Sequence, residues 1–317
     1  MKIAVTGATG FIGRHAVRYL VEQGYHVAAG VRRDATMPAE WQNDPRISLV
    51  YLGGKRGQFA PLAEGADAVI HLAGLAAVPK DANAEHALQA ANVDLTADLV
   101  EEAKRAGVQR FIHLSSLRAV VGSTSSTVVD DNTPPAPVEP YGRSKLESER
   151  IVAGFASQDR IAFALRPPLV IGADARGNWK RLQQLAASGF PLPFGGINNR
   201  RSYLSVQTLC EALAHLAGRD WATELSGAYC LADPIPLTLA EVIVSLQAGM
   251  KREARLFRVP GLPLTRFVPG LRGPANSLFG SLPVSSARFM RNFSLEPSTL
   301  LIDAIEASGA HYIAASS

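Results

Sequence analysis

A chain of 317 residues with 47% hydrophobic and 19% charged residues has the makings of a large core. Its net charge of +4 comes from 32 Lys and Arg against 28 Asp and Glu spread along the chain, which excludes the extended basic face a nucleic-acid backbone needs. Two cysteines, Cys210 and Cys230, exclude a disulfide framework or a thiolate metal cluster, and no apolar run is long enough to cross a bilayer.

The opening "MKIAVTGATG" enters a strand at 2–6 at once, so no leader peptide is expected and the cytoplasm is the expected location. That strand runs into "VTGATGFIG" and a helix over 11–23. Gly7 and Gly10 suit a tight turn that brings backbone close to a pyrophosphate, and Gly13 lets helix and strand pack closely. The helix N-terminus adds free N–H groups and a partial positive charge. Packing alone is the other use such glycines have. The second strand, 26–31, is followed by Arg32 and Arg33, with Asp34 already in the turn. An acid here would hold a ribose 2′-hydroxyl, whereas a guanidinium forks onto a 2′-phosphate. NADP(H) is therefore favoured over NAD(H), the alternative being that both arginines are merely solvated turn residues.

Strands follow at 47–52, 68–72, 110–115 and 161–165, with helices over 84–106 and 140–156. Leu95, Leu99, Val100 and Ala103 form one stripe, as a surface helix requires. The fourth strand reads "VIHLAG" and ends in small residues against which a cofactor can lie; the fifth runs into Ser115 and Ser116. Beyond "RPP" at 166–168 the alternation fades. Helices are expected over 176–188, 206–217 and 238–248, with a short strand near 228–231. The apolar, basic, proline-broken stretch 257–279 reads as a substrate lid or core cover rather than a membrane contact. The alternation predicts an α/β, doubly wound parallel sheet over 1–168, to which 203–232 returns, with 169–317 mostly a smaller substrate-binding lobe.

Tyr141 and Lys145 stand one turn apart in "PYGRSK", so on a helix they share a face. Alone, such a pair is commonplace. Taken in order, "TGATGFIG", "VIHLAG", "RFIHLSS" and "PYGRSK" resemble the extended short-chain dehydrogenase/reductase family, and the likeness spans roughly residues 1–307. The resemblance implies a Rossmann fold and catalysis by Ser116, Tyr141 and Lys145. It places the cofactor on Gly7, Gly10, Phe11, Ile12 and Gly13, on Arg32 and Arg33, on Leu72 and Ala73, and on Tyr141, Lys145 and Pro168. Asn92 resembles the family's cofactor-side asparagine, or is a plain helix cap. In that chemistry Tyr141 exchanges a proton with the substrate oxygen as hydride moves. Lys145 lowers the phenol's pKa and holds the cofactor ribose, and Ser116 hydrogen-bonds the substrate oxygen. Ser116 is preferred to Ser115 by counting from the strand, although the following loop, "LRAVVG", is one residue longer than in many relatives.

In the second half, "ARGNWKRLQQL", "FPLPFGGINNRRSYLSV" and "LFGSLPVSSARFMR" resemble the nucleotide-sugar branch, UDP-hexose 4-epimerases and 4-ketoreductases. That likeness implies a UDP-sugar substrate, with Asn178 and Arg201 on the diphosphate and Leu192 and Phe194 around the uracil. Arginine offers phosphate a fork and phenylalanine offers a base a flat face, though Phe194 suits a core equally well. Some positions depart from the pattern. Leu117-Arg118 replaces the Asp-Glu of dehydratases, which argues against loss of water; "LVYLGG" lacks the acid that holds adenine; Gly280-Ser281 stands where some relatives have Gly-Asp.

Three readings follow. The first is NADPH-dependent 4-keto reduction of a UDP-4-keto-6-deoxy-hexosamine, with Ser285 leaving room for an N-acetyl group. The second is a UDP-hexose 4-epimerase with retained NAD. The third is a non-catalytic dinucleotide sensor, which would not need the Tyr/Lys pair kept here. No metal is expected, and a homodimer through the helices at 93–106 and 140–156 is.

Overall fold

Strands of a parallel sheet are covered on both faces and read as unbroken apolar runs. The computed structural model, which describes residues 1–54, 57–76, 83–261, 276 and 278–315, shows this most fully in β4 (Ala68–His71) and β6 (Ile161–Arg166), where every residue is buried. With β1 (Lys2–Thr6), β2 (His26–Arg32), β3 (Ile47–Leu52), β5 (Arg110–Leu114) and β9 (Gly227–Cys230) they form one sheet, in the order β3-β2-β1-β4-β5-β6-β9. Every pairing is parallel; Val5, for example, lies between Ala29 and Ile70. The strand order reverses at β1 and β4, and their C-terminal ends open the crevice in which such sheets bind ligands.

Alternate strand residues face opposite sides. Ile3 and Val5 pack with α1 (Phe11–Glu22) and α7 (Val206–Gly218). Ala4, Ala28 and Val69 pack with α2 (Ala60–Ala63), α4 (Leu95–Arg105) and α5 (Pro140–Ala153). The second core joins α6 (Asn178–Ala186), α8 (Leu239–Gly249) and α10 (Leu301–Ala314) through Trp179, Leu182, Ile243, Leu246 and Ile305. β7 (Leu169–Ile171) and β8 (Tyr203–Ser205) pair in parallel between the two cores. A Cβ on Gly249 would strike the Glu306 carbonyl and one on Gly309 the Leu246 carbonyl, so α8 and α10 lie backbone to backbone.

Several elements differ from the sequence-based expectation. The helix expected over 84–106 comes in three parts: α3 (Ala84–Leu88), a π-helical turn over Gln89–Asp94, and α4. β7 and β8 are three residues each, too short to show a period. α10 and the short α9 (Ala287–Phe293) lie beyond the last expected helix, and α10 carries Ser308 and Gly309, poor helix formers, inside its span. Residues 262–275 and 277, most of the expected lid, lie outside the described residues. Cys210 and Cys230 are free and buried, and burial pushes the Cys210 thiol up to about 12. Among the described residues no helix is long and apolar enough to cross a membrane.

Candidate active site

The C-terminal ends of β4, β5 and β6 open onto a cavity of about 880 Å³. Ile12, Leu72, Ser116, Tyr141, Lys145 and Pro168 line its sheet side, and Asn178 and Arg201 its far side. Between them runs an apolar wall that includes Leu182, Leu185, Leu239, Leu278 and Leu282.

The glycine turn is built for close approach. Gly7 adopts φ +66, and a Cβ there would lie 2.7 Å from the Ala73 nitrogen, so the turn presses against the loop after β4. A Cβ on Gly13 would strike the Gly7 carbonyl, so only glycine lets α1 start here. No side chain caps α1, which leaves the N–H groups around Phe11 and Ile12 for an anion. The cradle fits a dinucleotide pyrophosphate. At the end of β2, Arg32 is exposed and lies 3.6 Å from Asp34, while Arg33 stacks over Tyr51 at 5.7 Å.

The loop after β4 is held by a buried chain of hydrogen bonds whose direction the donors decide. Ala73 N–H donates to Thr6 Oγ1 (3.2 Å), and Thr6 donates to His71 Nδ1 (2.7 Å). His71 Nε2–H donates to Thr96 Oγ1 (2.9 Å), which donates to the Asn92 carbonyl (2.6 Å). Burial, then the Lys145 charge, pulls the His71 imidazole down to about 3, so it stays neutral. Asn92 is not a helix cap. It sits inside the π turn, where its amide takes Leu75 N–H (2.7 Å) and donates to the Leu75 carbonyl (3.1 Å) and to Ser144 Oγ (2.9 Å). It thereby ties the cofactor-side loop to α5.

Ser116 and Ser115 divide their roles. Ser116 lies in the cavity with Tyr141 and acts to lower the phenol's pKa. Ser115 turns to Glu149, which also pairs with Arg166 at 2.7 Å in the core. The expectation that Lys145 lowers the Tyr141 pKa is not met in the protein alone. Burial pushes the phenol above its usual value, and what opposes this is Ser116 and then the Arg118 charge. Lys145 is buried, donates to the Leu114 carbonyl at 2.7 Å, and is drawn by desolvation to about 8 against the pull of Glu149.

Across the cavity, Arg201 donates to the carbonyls of Ser123 (3.2 Å) and Gly280 (2.9 Å). No carboxylate among the described residues pairs with it, and burial, opposed by Tyr203, holds its pKa below the usual value. A half-buried guanidinium bonded only to carbonyls favours an anion. Leu192 and Phe194 are buried in the second core, Phe194 against Phe279, and neither is among the cavity's lining residues. Ser285 precedes α9 and does not line it either. Arg118, Glu139 and Arg181 do line it, although nothing in their spacing assigns them a part.

The description "NAD dependent epimerase/dehydratase family" matches residues 3–229. A UDP-glucose 4-epimerase of Vibrio cholerae is 28% identical over 268 residues, covering 81% of this chain and 78% of that protein. A ceramide reductase of Caulobacter vibrioides is 33% identical over 207 residues, 65% of this chain and 57% of that one. Among solved structures, UDP-glucuronic acid 4-epimerase from Bacillus cereus in complex with NAD superposes with a TM-score of 0.79 at 20% identity, over 100% of both chains. The matched family model covers the glycine turn, the serine and the Tyr141–Lys145 pair together, and the chain belongs to the NAD-dependent epimerase/dehydratase family as an extended short-chain dehydrogenase/reductase enzyme.

Proposed function

We propose that this enzyme carries out oxidoreduction at C4 of a UDP-linked hexose, and that its reaction is NADPH-dependent reduction of a 4-keto-6-deoxy-hexosamine. The observation that carries the reading is one cavity lined by Ser116, Tyr141 and Lys145 and by a half-buried Arg201 with no carboxylate partner among the described residues. A proton donor and an anion site in one cavity suit a sugar that carries both a reacting carbon and a diphosphate. Ser116 would hold the ketone oxygen and Tyr141 would protonate it, while Asn178 and Arg201 hold the diphosphate. A bound dinucleotide would supply the hydride, and Lys145 would keep its ribose in place.

Two features support the finer points. The leucines that line the cavity would give a 6-methyl group apolar company. Arg32 and Arg33 at the end of β2 suit a 2′-phosphate and a cofactor that exchanges at each cycle. A second reading, UDP-hexose 4-epimerase with retained NAD, is favoured by the Vibrio cholerae relative. The test is purified enzyme given UDP-4-keto-6-deoxy-N-acetyl sugar and NADPH, followed by loss of NADPH absorbance. Turnover supports the reductase. No oxidation, together with interconversion of UDP-glucose and UDP-galactose without added cofactor, hands the case to the epimerase. The same reading includes a homodimer through α4 and α5, and a monomer mass in sedimentation would remove it.

A further inference from the structure

Arg118 stands at the Leu117-Arg118 position that speaks against dehydration, and no role follows for it from that absence. Its place is specific. It lies in the short turn after Ser116, where its backbone N–H donates to Ser116 Oγ at 3.2 Å. The turn packs on the first turn of α5, so closely that a Cβ on Gly142 would strike the Arg118 carbonyl. One guanidinium nitrogen, Nη2, reaches both oxygens of Glu139 at 3.0 Å, two residues before Tyr141. The other, Nη1, is buried and has no hydrogen-bond partner among the described residues. The charge is thus held over the entrance of α5, in the cavity that Tyr141 also lines.

We propose that Arg118, tethered by Glu139, is a positioning residue that favours the ionised form of Tyr141, a part otherwise given to Lys145 alone. The tether limits the charge as well as placing it: Glu139 holds Arg118 in register and neutralises part of its field. The other charges around Tyr141 do not fill this part. On α5, Lys145 is bonded to the Leu114 carbonyl, Glu149 to Arg166, and Arg143 to Val138 and to Glu85 of α3. His86 of α3 is exposed. His71 and His113 beneath Lys145 are kept neutral by burial. Across the cavity stand Tyr203, kept protonated by burial, and Arg201, whose own pKa the Arg118 charge helps to lower, which places the two guanidinium groups in one field. Ser116 and then Arg118 are the influences that oppose the burial of the phenol.

The inference rests on Tyr141 as the proton-exchanging group, and its test needs no substrate. Tyrosinate absorbance is followed against pH in the full chain saturated with NADP⁺, with the Tyr141→Phe protein as the blank. Arg118→Met should move the Tyr141 ionisation to higher pH, and Arg118→Lys, which keeps a cation, should restore most of that shift. Glu139→Gln, which frees the Arg118 charge, should move it the opposite way, to lower pH. An unchanged ionisation in Arg118→Met overturns the proposal. So does movement in the same direction in Arg118→Met and Glu139→Gln, which is what a loosened α5 entrance would give. A wrong sugar leaves this measurement untouched, whereas full turnover by Tyr141→Phe would overturn the proposed function itself.

Discussion

On the proposed function, Tyr141 exchanges a proton from a place where burial disfavours its anion. Tyr141→Phe removes the hydroxyl and nothing of the cradle, so turnover should fall by about 10²–10⁴-fold while dinucleotide affinity stays close to normal. Turnover of the preferred sugar and fluorescence titration of the cofactor check the two halves separately. Lys145 makes a second prediction at this scale. Its folded pKa, about 8, lies below the ordinary lysine value of 10.5, so between these limits the unfolded chain binds more protons than the folded one. Stability from this group therefore rises with pH across that window. The stability of the wild type minus that of Lys145→Met should increase from pH 8 to pH 10, measured by urea denaturation at each pH. A difference that stays flat would mean that Lys145 pays no burial cost.

At the scale of elements, the π turn between α3 and α4 exists to turn Asn92 inward. Asn92→Ala would leave both backbone groups of Leu75, and Ser144, without their partner, at a cost of about 1–3 kcal/mol. Urea denaturation should show that loss, and cofactor affinity should fall with it because the loop after β4 loosens. The sequence allows much of this to be anticipated: the parallel strands, the glycine turn and the Tyr141–Lys145 face follow from local pattern, since each needs only neighbouring residues. What it hides depends on distant partners. The π turn looks like any helix at 84–106, because its widening is decided by Leu75 and Ser144. α10 looks weak because its Ser308 and Gly309 make sense only against α8, Trp179 and Gly172. Ser116 and Ser115 look alike until Glu149 claims one of them.

For the whole molecule, the question is what holds the two cores around one cavity. Asp174, after β7, accepts from Arg14 at 2.9 Å and bonds His15 at 2.8 Å, both on α1, and so joins the segment after β7 to the helix that follows the glycine turn. The partners hold its carboxyl below the usual range despite burial. A carboxylate with a lowered folded pKa adds stability that is full above the unfolded value and is lost as pH falls through the folded one. Asp174→Asn should therefore cost about 1 kcal/mol at pH 7, the partly exposed setting keeping it small. The gap from wild type should narrow as pH falls below the usual carboxylate range, as urea denaturation at pH 7 and in acid would show.

The backbone-to-backbone seat of α10 on α8 also has a consequence for the order in which the molecule is made. Ser308 accepts from Trp179 Nε1 at 2.8 Å and donates to the Gly172 carbonyl at 3.0 Å, so α10 braces the helix that starts at Asn178. Domains fold as units during synthesis, from the N-terminal side first. On the ribosome, the dinucleotide sheet becomes complete once β9 has emerged, but Trp179 and Gln183 wait some eighty residues longer, roughly 5–15 s at ordinary elongation rates, for their partner. During that interval the growing chain has a finished glycine turn and an unbraced α6, so on the proposed function it would take up nucleotide before it could hold a substrate.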